Sequence, residues 1–177
     1  DVLEDGGSVK FDPDTHTLTL NNAHLTLDGA AGGYCCIDSQ LAEELTITGT
    51  ATLSNADGII TAGPLTLKNA DLTFTGNIDG DIGDDAIRAG RSDEDITIQN
   101  SKVTIAGTNS EGNFFQFGIR CGKLTVANST LNVKVYGSAI VAADEMEVSG
   151  AGTVITAETG ASEEQDYYAL ELNKENS

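Results

Sequence analysis

Short phrases in which apolar and polar residues alternate recur along the chain. Each has an aliphatic or Met residue at its first and third positions and ends in Asn or Gly. The phrases are LTLNN from Leu18, LTITG from Leu45, LTLKN from Leu65, ITIQN from Ile96, LTVAN from Leu124 and MEVSG from Met146. A period of two residues is typical of a β-strand with one buried face. The phrases therefore predict six equivalent strands.

Two further apolar segments follow each phrase. The second strands are predicted around Leu25 and Leu27, Leu53, Leu72 and Phe74, Val103 and Ile105, Leu131 and Val133, and Val154. The third strands are predicted to be centred on Ile37, Ile59, Ile87, Ile119, Ile140 and Leu170. No window favours a helix. The sequence thus predicts an all-β fold, a parallel β-solenoid of about six three-stranded coils that stack at a strand spacing of about 4.8 Å.

A corner residue that tolerates left-handed backbone geometry follows each first strand. These residues are Asn22, Gly49, Asn69, Asn100, Asn128 and Gly150. Asn and Gly are the residue types that adopt a positive φ at the lowest cost. We expect the Asn amides to be buried at the corner and to hydrogen-bond one another along the stack.

The whole chain, residues 1–177, is predicted to form one domain. Residues 1–17 form an N-terminal cap, in which the segment from Ser8 turns at Asp12-Pro13-Asp14-Thr15 and returns as a hairpin over the first strand edge. The coils occupy residues 18–172, and the polar residues 173–177 form a tail.

The charge and composition of the chain limit the classes of partner that it can bind. The chain has 177 residues, 9 Lys and Arg against 28 Asp and Glu, and a formal net charge of −19. Such a charge repels phosphate backbones and anionic lipids, so we expect no nucleic-acid partner. Apolar runs are too short for a membrane helix, so we expect no membrane insertion. The acidic start is unlike a signal peptide and suggests a mature or trimmed segment. We expect a monomer.

Three cysteines, Cys35, Cys36 and Cys121, cannot all pair within one chain. The first two are neighbours, and a bridge between them would be strained. We therefore expect free, buried thiols. With only two His residues and no C-x-x-C motif, a structural zinc site is not expected.

An acidic insertion, GNIDGDIGDDAIRA at residues 76–89, is the main candidate for metal binding. Aligning the third strands puts two Asp residues at the same position in adjacent coils, with three more nearby. The candidate ligands are Asp57, Asp79, Asp81, Asp84 and Asp85. Clustered carboxylates with intervening Gly suit calcium, which takes six to eight oxygen ligands. A solvated acidic turn is the alternative.

Basic and aromatic residues next to this insertion are the candidates for carbohydrate binding. Arg88 and Arg120 occupy equivalent positions in adjacent coils, where they could pair with Asp or with the carboxylates of uronic acids. Phe114 and Phe115 lie in the next insertion, and exposed rings stack on the apolar faces of sugars. We expect at least one aromatic residue of this insertion to belong to the core.

The phrase SVKFDPDTHTLTLNNA near the start, with the repeated LTIxN…GIxA coils, resembles right-handed parallel β-helix domains of bacterial surface and secreted proteins. These include calcium-associated carbohydrate-binding domains related in fold to pectate lyases. The resemblance runs from about Ser8 to Leu172 and implies a right-handed β-helix and an extracellular or cell-surface location. Its motifs build coils and carry no active-site signature, so it transfers a fold better than an activity.

These observations favour a non-catalytic extracellular module that binds carbohydrate or mediates adhesion. The expected partner is a polysaccharide or a host or cell-surface glycan, with an acidic polysaccharide recognised with the help of calcium. One alternative is a structural spacer or adhesin segment of a larger surface protein. The other is a calcium-dependent polysaccharide lyase with Arg88 or Arg120 as base, which the high pKa of arginine disfavours.

Overall fold

The computed structural model describes residues 6–26, 35–54, 57–75, 85–106, 115–160 and 166–172. These residues form fourteen strands and no helix. The strands are β1 (Ser8–Asp12), β2 (Thr17–Thr26), β3 (Cys35–Ser39), β4 (Leu45–Ser54), β5 (Asp57–Thr61), β6 (Leu65–Thr75), β7 (Asp85–Ala89), β8 (Ile96–Gln99), β9 (Lys102–Ala106), β10 (Phe117–Ala127), β11 (Thr130–Val135), β12 (Ser138–Ser149), β13 (Val154–Thr159) and β14 (Leu170–Leu172). The described segments accordingly contain no helix that could cross a membrane.

All fourteen strands belong to one curled, mixed sheet. Only β1 and β2 pair antiparallel among the described strands; every other pairing is parallel. Apart from β1 and β2, strands pair with their equivalents in the repeat rather than with their sequence neighbours. This produces three columns: a first through β2, β4, β6, β8, β10 and β12, a second through β2, β4, β6, β9, β11 and β13, and a third through β3, β5, β7, β10, β12 and β14.

The third column confirms the predicted strand centres. The Cα partners run without interruption through Ile37, Ile59, Ile87, Ile119, Ile140 and Leu170. Each predicted centre therefore lies directly opposite the next. The four middle members are almost completely buried, which places this column of aliphatic side chains in the core.

The first column matches the predicted phrases at five of six positions. Its aligned residues are Leu45, Leu65, Ile96, Leu124 and Met146. Leu18, however, pairs with Ile47, so the predicted alignment of the first phrase is wrong by two residues. A shift of two keeps every side chain on the same face, and the alternating pattern cannot detect it.

The second column corrects one predicted position. Val154 pairs with Thr130 and is 51% exposed, whereas Ile155 pairs with the buried Leu131. A shift of one residue exchanges the two faces of a strand, so Ile155 takes the inward place that we expected for Val154. Leu27, also expected in this column, lies outside the described residues.

All six corner residues have a positive φ, as predicted. The values are 47° for Asn22, 95° for Gly49, 51° for Asn69, 49° for Asn100, 49° for Asn128 and 91° for Gly150. The expectation that the Asn amides are buried is wrong, because all four Asn residues are exposed. The left-handed turn directs these side chains outward and brings the following residue to the inside.

Serine hydroxyls at that following position bridge successive coils. The backbone N–H of Ala70 donates to Oγ of Ser101 at 3.0 Å, and the N–H of Ser101 donates to Oγ of Ser129 at 3.0 Å. The Ser101 hydroxyl in turn lies 2.7 Å from the carbonyl oxygen of Gln99. Backbone groups that the corner removes from the regular sheet pairing are thus satisfied by buried side chains.

The predicted N-terminal hairpin is present. Strand β1 pairs with β2 from Ser8 opposite Asn21 to Asp12 opposite Thr17. The N–H of Asp14 donates to Oδ1 of Asp12 at 3.0 Å, a local bond typical of Asp at a turn. The hairpin covers the free edge of β2 in the first column. Residues 1–5 of the predicted cap and the predicted tail, residues 173–177, lie outside the described residues.

Candidate functional site

The third column brings several of the predicted site residues together. Asp57 begins β5, Asp85 begins β7, and Phe117 of β10 is the Cα partner of Asp85. Oδ1 of Asp57 accepts a hydrogen bond from the backbone N–H of Asp85 at 2.9 Å. Arg88 and Arg120 are also direct Cα partners, in the adjacent strands β7 and β10. The alignment of the Asp pair and of the Arg pair therefore corresponds to the observed register.

Asp85 is a buried carboxylate held by two guanidinium groups. Its side chain is 1% exposed. Nε and Nη2 of Arg120 donate to Oδ1 and Oδ2 of Asp85 at 2.5 and 2.6 Å, and Nη1 of Arg88 lies 3.2 Å from Oδ2. Burial raises the pKa of Asp85, while the hydrogen bonds and charge of Arg120 and the charge of Arg88 oppose that rise.

The two arginines are held to different extents. The Arg120 side chain is 23% exposed, and its Cζ lies 4.1 Å from the ring centroid of Phe117, which adds a cation–π contact to the paired hydrogen bonds. The Arg88 side chain is 34% exposed and contacts Asp85 through Nη1. Its Nε is buried without a hydrogen-bond partner among the described residues. Arg88 is thus the less constrained of the two guanidinium groups.

This geometry favours charge compensation at Asp85. Both carboxylate oxygens accept hydrogen bonds from cations, so the negative charge of Asp85 is already compensated without a metal ion. Within the described segments, no three His, Cys, Asp or Glu residues are grouped so that they could hold a metal. The other candidate ligands of the insertion, Asp79, Asp81 and Asp84, lie outside the described residues.

One of the two candidate aromatic residues, Phe115, lies in the described part of the chain. Phe115 is 1% exposed and belongs to the hydrophobic core, so its ring offers no face to a sugar. Its burial agrees with the expectation that at least one ring of this insertion packs inside. Phe114 lies outside the described residues.

Two polar grooves cross the coils away from this ion-pair cluster. One, of about 480 Å³, runs along the corner and is lined by the exposed amides of Asn69, Asn100 and Asn128 among other polar groups. The other, of about 590 Å³, lies on the outer surface of the first column and is lined mainly by Thr side chains. The sequence analysis predicts a structural role for the Asn residues and a water-facing position for the Thr residues, and it assigns neither set to ligand binding. The repeated Thr after the first aliphatic residue of five phrases was the available signal.

An apolar cavity of about 540 Å³ lies between the hairpin and the first coil. Its lining includes Phe11, Leu18, Leu25, Cys36 and Ile37.

The three cysteines are free thiols, as predicted, but only Cys121 is buried as expected, and Cys35 and Cys36 are partly exposed. Burial is the largest cause that raises the pKa of Cys35 and of Cys36 to about 11 and that of Cys121 to about 12. Thiols with these pKa values are protonated at neutral pH and are poor nucleophiles.

Comparisons with family models, with curated proteins and with solved structures find no match to this chain. The resemblance to bacterial β-helix domains therefore depends on the sequence phrases alone.

Proposed function

We propose that this chain is a non-catalytic carbohydrate-binding or adhesion module of an extracellular or cell-surface protein. We also propose that its curled sheet is a right-handed parallel β-helix of six coils with a hairpin cap. Three columns of parallel strands support this architecture, since each coil contributes a strand, or one part of a long strand, to each column.

The observation that carries the functional proposal is the pair of polar grooves that cross successive coils. In the corner groove, the amides of Asn69, Asn100 and Asn128 are repeated from one coil to the next. An amide side chain offers two donors and an acceptor, which complements sugar hydroxyls that both donate and accept. A repeating row of such groups on a rigid sheet matches a ligand that is itself a repeating chain of sugars.

The ion-pair cluster supports a narrower role than the sequence predicted. Arg120 donates two hydrogen bonds to Asp85, whereas Arg88 donates one and its side chain is 34% exposed, so Arg88 is the better candidate for contact with an acidic sugar. Calcium-assisted binding stays a proposal for the acidic insertion, most of which lies outside the described residues.

A structural spacer or adhesin segment is the second candidate. Continuous backbone pairing and an unbroken aliphatic core support it, because these features stiffen a rod without requiring any ligand. The lyase alternative is not favoured: Nε and Nη2 of Arg120 already donate to a carboxylate, and a general base must accept a proton.

A glycan panel tests the proposal. Retardation of the folded protein in gels that contain immobilised polysaccharide, with and without calcium, supports a binding module. Migration that no polysaccharide changes, from a protein with a native β-sheet circular dichroism spectrum, favours the spacer. Release of unsaturated uronate products would instead identify a lyase.

A further inference from the structure

The groove on the first column is defined by nine residues and is called here the threonine groove. Its lining residues are Thr17, Glu44, Thr46, Thr48, Thr66, Lys68, Asn69, Thr97 and Gln99. They come from strands β2, β4, β6 and β8 and from the residues next to them. The groove therefore runs across the strands, in the direction in which the coils stack.

One column of threonines forms the centre of this groove. Consecutive Cα partners are Thr17, Thr46, Thr66, Thr97 and Thr125, so five neighbouring strands place the same residue at the same position. The first four line the groove, and Thr125 continues the column beyond it. Each of these side chains is partly exposed, while the aliphatic residues on either side of Thr46, Thr66, Thr97 and Thr125 are buried. The hydroxyls thus repeat at the strand spacing of about 4.8 Å.

The chemistry of this column suits a sugar chain. A Thr hydroxyl donates one hydrogen bond and accepts two, and its methyl group can contact the C–H face of a sugar ring. The amide of Gln99 adds donors and an acceptor beside the column. A ligand with one hydroxyl-bearing unit per strand can therefore repeat the same contacts along the groove.

Charge restricts the class of sugar. Glu44 and Lys68 are the charged residues among those that line the groove, and their charges cancel. The whole chain nevertheless carries a net charge of −19, which repels polyanions at long range. An uncharged ligand avoids this repulsion, and a groove with no net charge offers a charged ligand no compensating attraction.

We propose that the threonine groove binds an uncharged glycan, extended along the stacking direction with successive sugar units against successive threonines. This inference rests on the proposed carbohydrate-binding function. It assigns binding to a surface different from that of Arg88 and Arg120, and it replaces the acidic polysaccharide with a neutral one.

The test measures binding of neutral β-linked gluco- and manno-oligosaccharides of increasing length by isothermal titration calorimetry. The double variant Thr66→Val, Thr97→Val removes two hydroxyls at the centre of the groove and keeps the β-branched shape. Loss of two hydrogen bonds is expected to weaken binding about tenfold or more. For the unchanged protein, affinity is expected to increase with oligosaccharide length until the chain crosses all strands of the groove.

The second column offers a matched control. Thr73 of β6 and Thr104 of β9 are also Cα partners and are also partly exposed, but they lie outside the threonine groove. The double variant Thr73→Val, Thr104→Val is expected to bind with unchanged affinity. Thermal unfolding of both variants shows whether either substitution alters the fold.

Several outcomes would overturn the inference and are distinguishable from failure of the proposed function. Unchanged binding by the groove variant, or equal loss in both variants, would leave carbohydrate binding in place and locate it elsewhere. Binding of polygalacturonate but of no neutral oligosaccharide would reverse the assigned ligand class. Absence of binding to every glycan, neutral or acidic, would contradict the proposed function itself.

Discussion

Asp85 is the residue whose environment most changes its expected role. It begins as a candidate calcium ligand in an acidic insertion, and the register places it against Arg120 and Arg88 instead. A local sequence pattern shows that carboxylates are clustered, but not which of them is buried. Because Asp85 is buried, the stability of the fold depends on its ion pairs: a charge removed from water needs partners that compensate for its lost hydration.

Replacing Asp85 tests whether its buried ion pairs stabilise the fold. Asp85→Ala leaves two partly buried guanidinium groups without their carboxylate, so we expect a loss of about 2–4 kcal/mol in the free energy of unfolding. Urea denaturation monitored by circular dichroism measures it, in chelator and again with calcium. A metal ligand without a structural role would give the opposite result: unchanged stability in chelator and loss of any calcium effect.

The matched control is Asp71, whose side chain is about half exposed and lies 3.8 Å from Nζ of Lys102. Because an exposed ion pair contributes little, Asp71→Ala is expected to change stability by about 0.5 kcal/mol or less. Equal losses for both variants would show that the burial of Asp85 is unimportant.

The thiols permit a second test at this scale. Because the pKa of Cys35 and of Cys36 is raised to about 11, their thiolate fraction in the folded protein should still be small at pH 9 and reach its midpoint near pH 11. We expect the rate of iodoacetamide labelling to follow that profile. In urea the labelling profile of the same residues should have its midpoint near the ordinary value of 9.0, and identical profiles in the folded and unfolded protein would contradict the effect of burial.

At the scale of the element, the conformation of the corner after each first strand depends on residue preference, whereas the burial of its side chains depends on packing. Asn and Gly permit the positive φ, and this could be read from the sequence. Which side chain then faces inward depends on the three-dimensional course of the turn. That course exposes Asn100 and buries Ser101, so the bonds between coils come from hydroxyls rather than from amides.

Ser101→Ala tests the hydroxyl bridge. The variant leaves the N–H of Ala70 without its acceptor inside the core, and a cost of about 1–3 kcal/mol is expected for an unsatisfied buried donor. Denaturant midpoints measure the change, with Ser149→Ala, at an exposed position in β12, as the control. Comparable midpoints for both variants would mean that Ser101 does not bridge the coils.

At the scale of the whole molecule, stability depends on aliphatic columns that continue from strand to strand. Ile87 is completely buried between its partners Ile59 and Ile119, whereas Val154 near the last coil faces solvent. Both residues are β-branched and both lie in strands. Their difference therefore isolates the contribution of the inward face.

Ile87→Asp introduces an unpaired charge into the core, and we expect a loss of more than about 4 kcal/mol or failure to fold, with or without calcium. Val154→Asp is expected to fold with little change in melting temperature. Circular dichroism and thermal unfolding compare the two. A stable Ile87→Asp variant would show that β7 presents its other face to the core.

The all-β fold, the third-strand centres and the left-handed corners could be predicted from the sequence, because alternation and backbone preference are local properties that every coil repeats. Only the tertiary structure decided that Leu18 pairs with Ile47, that Asp85 is neutralised by Arg120, and that Thr17 rather than Thr19 joins the column of threonines. These contacts join residues from different coils, and their identity depends on register and burial. A phrase shows which of its faces is buried, but not the register at an irregular end of the column or which polar side chain is buried against which partner.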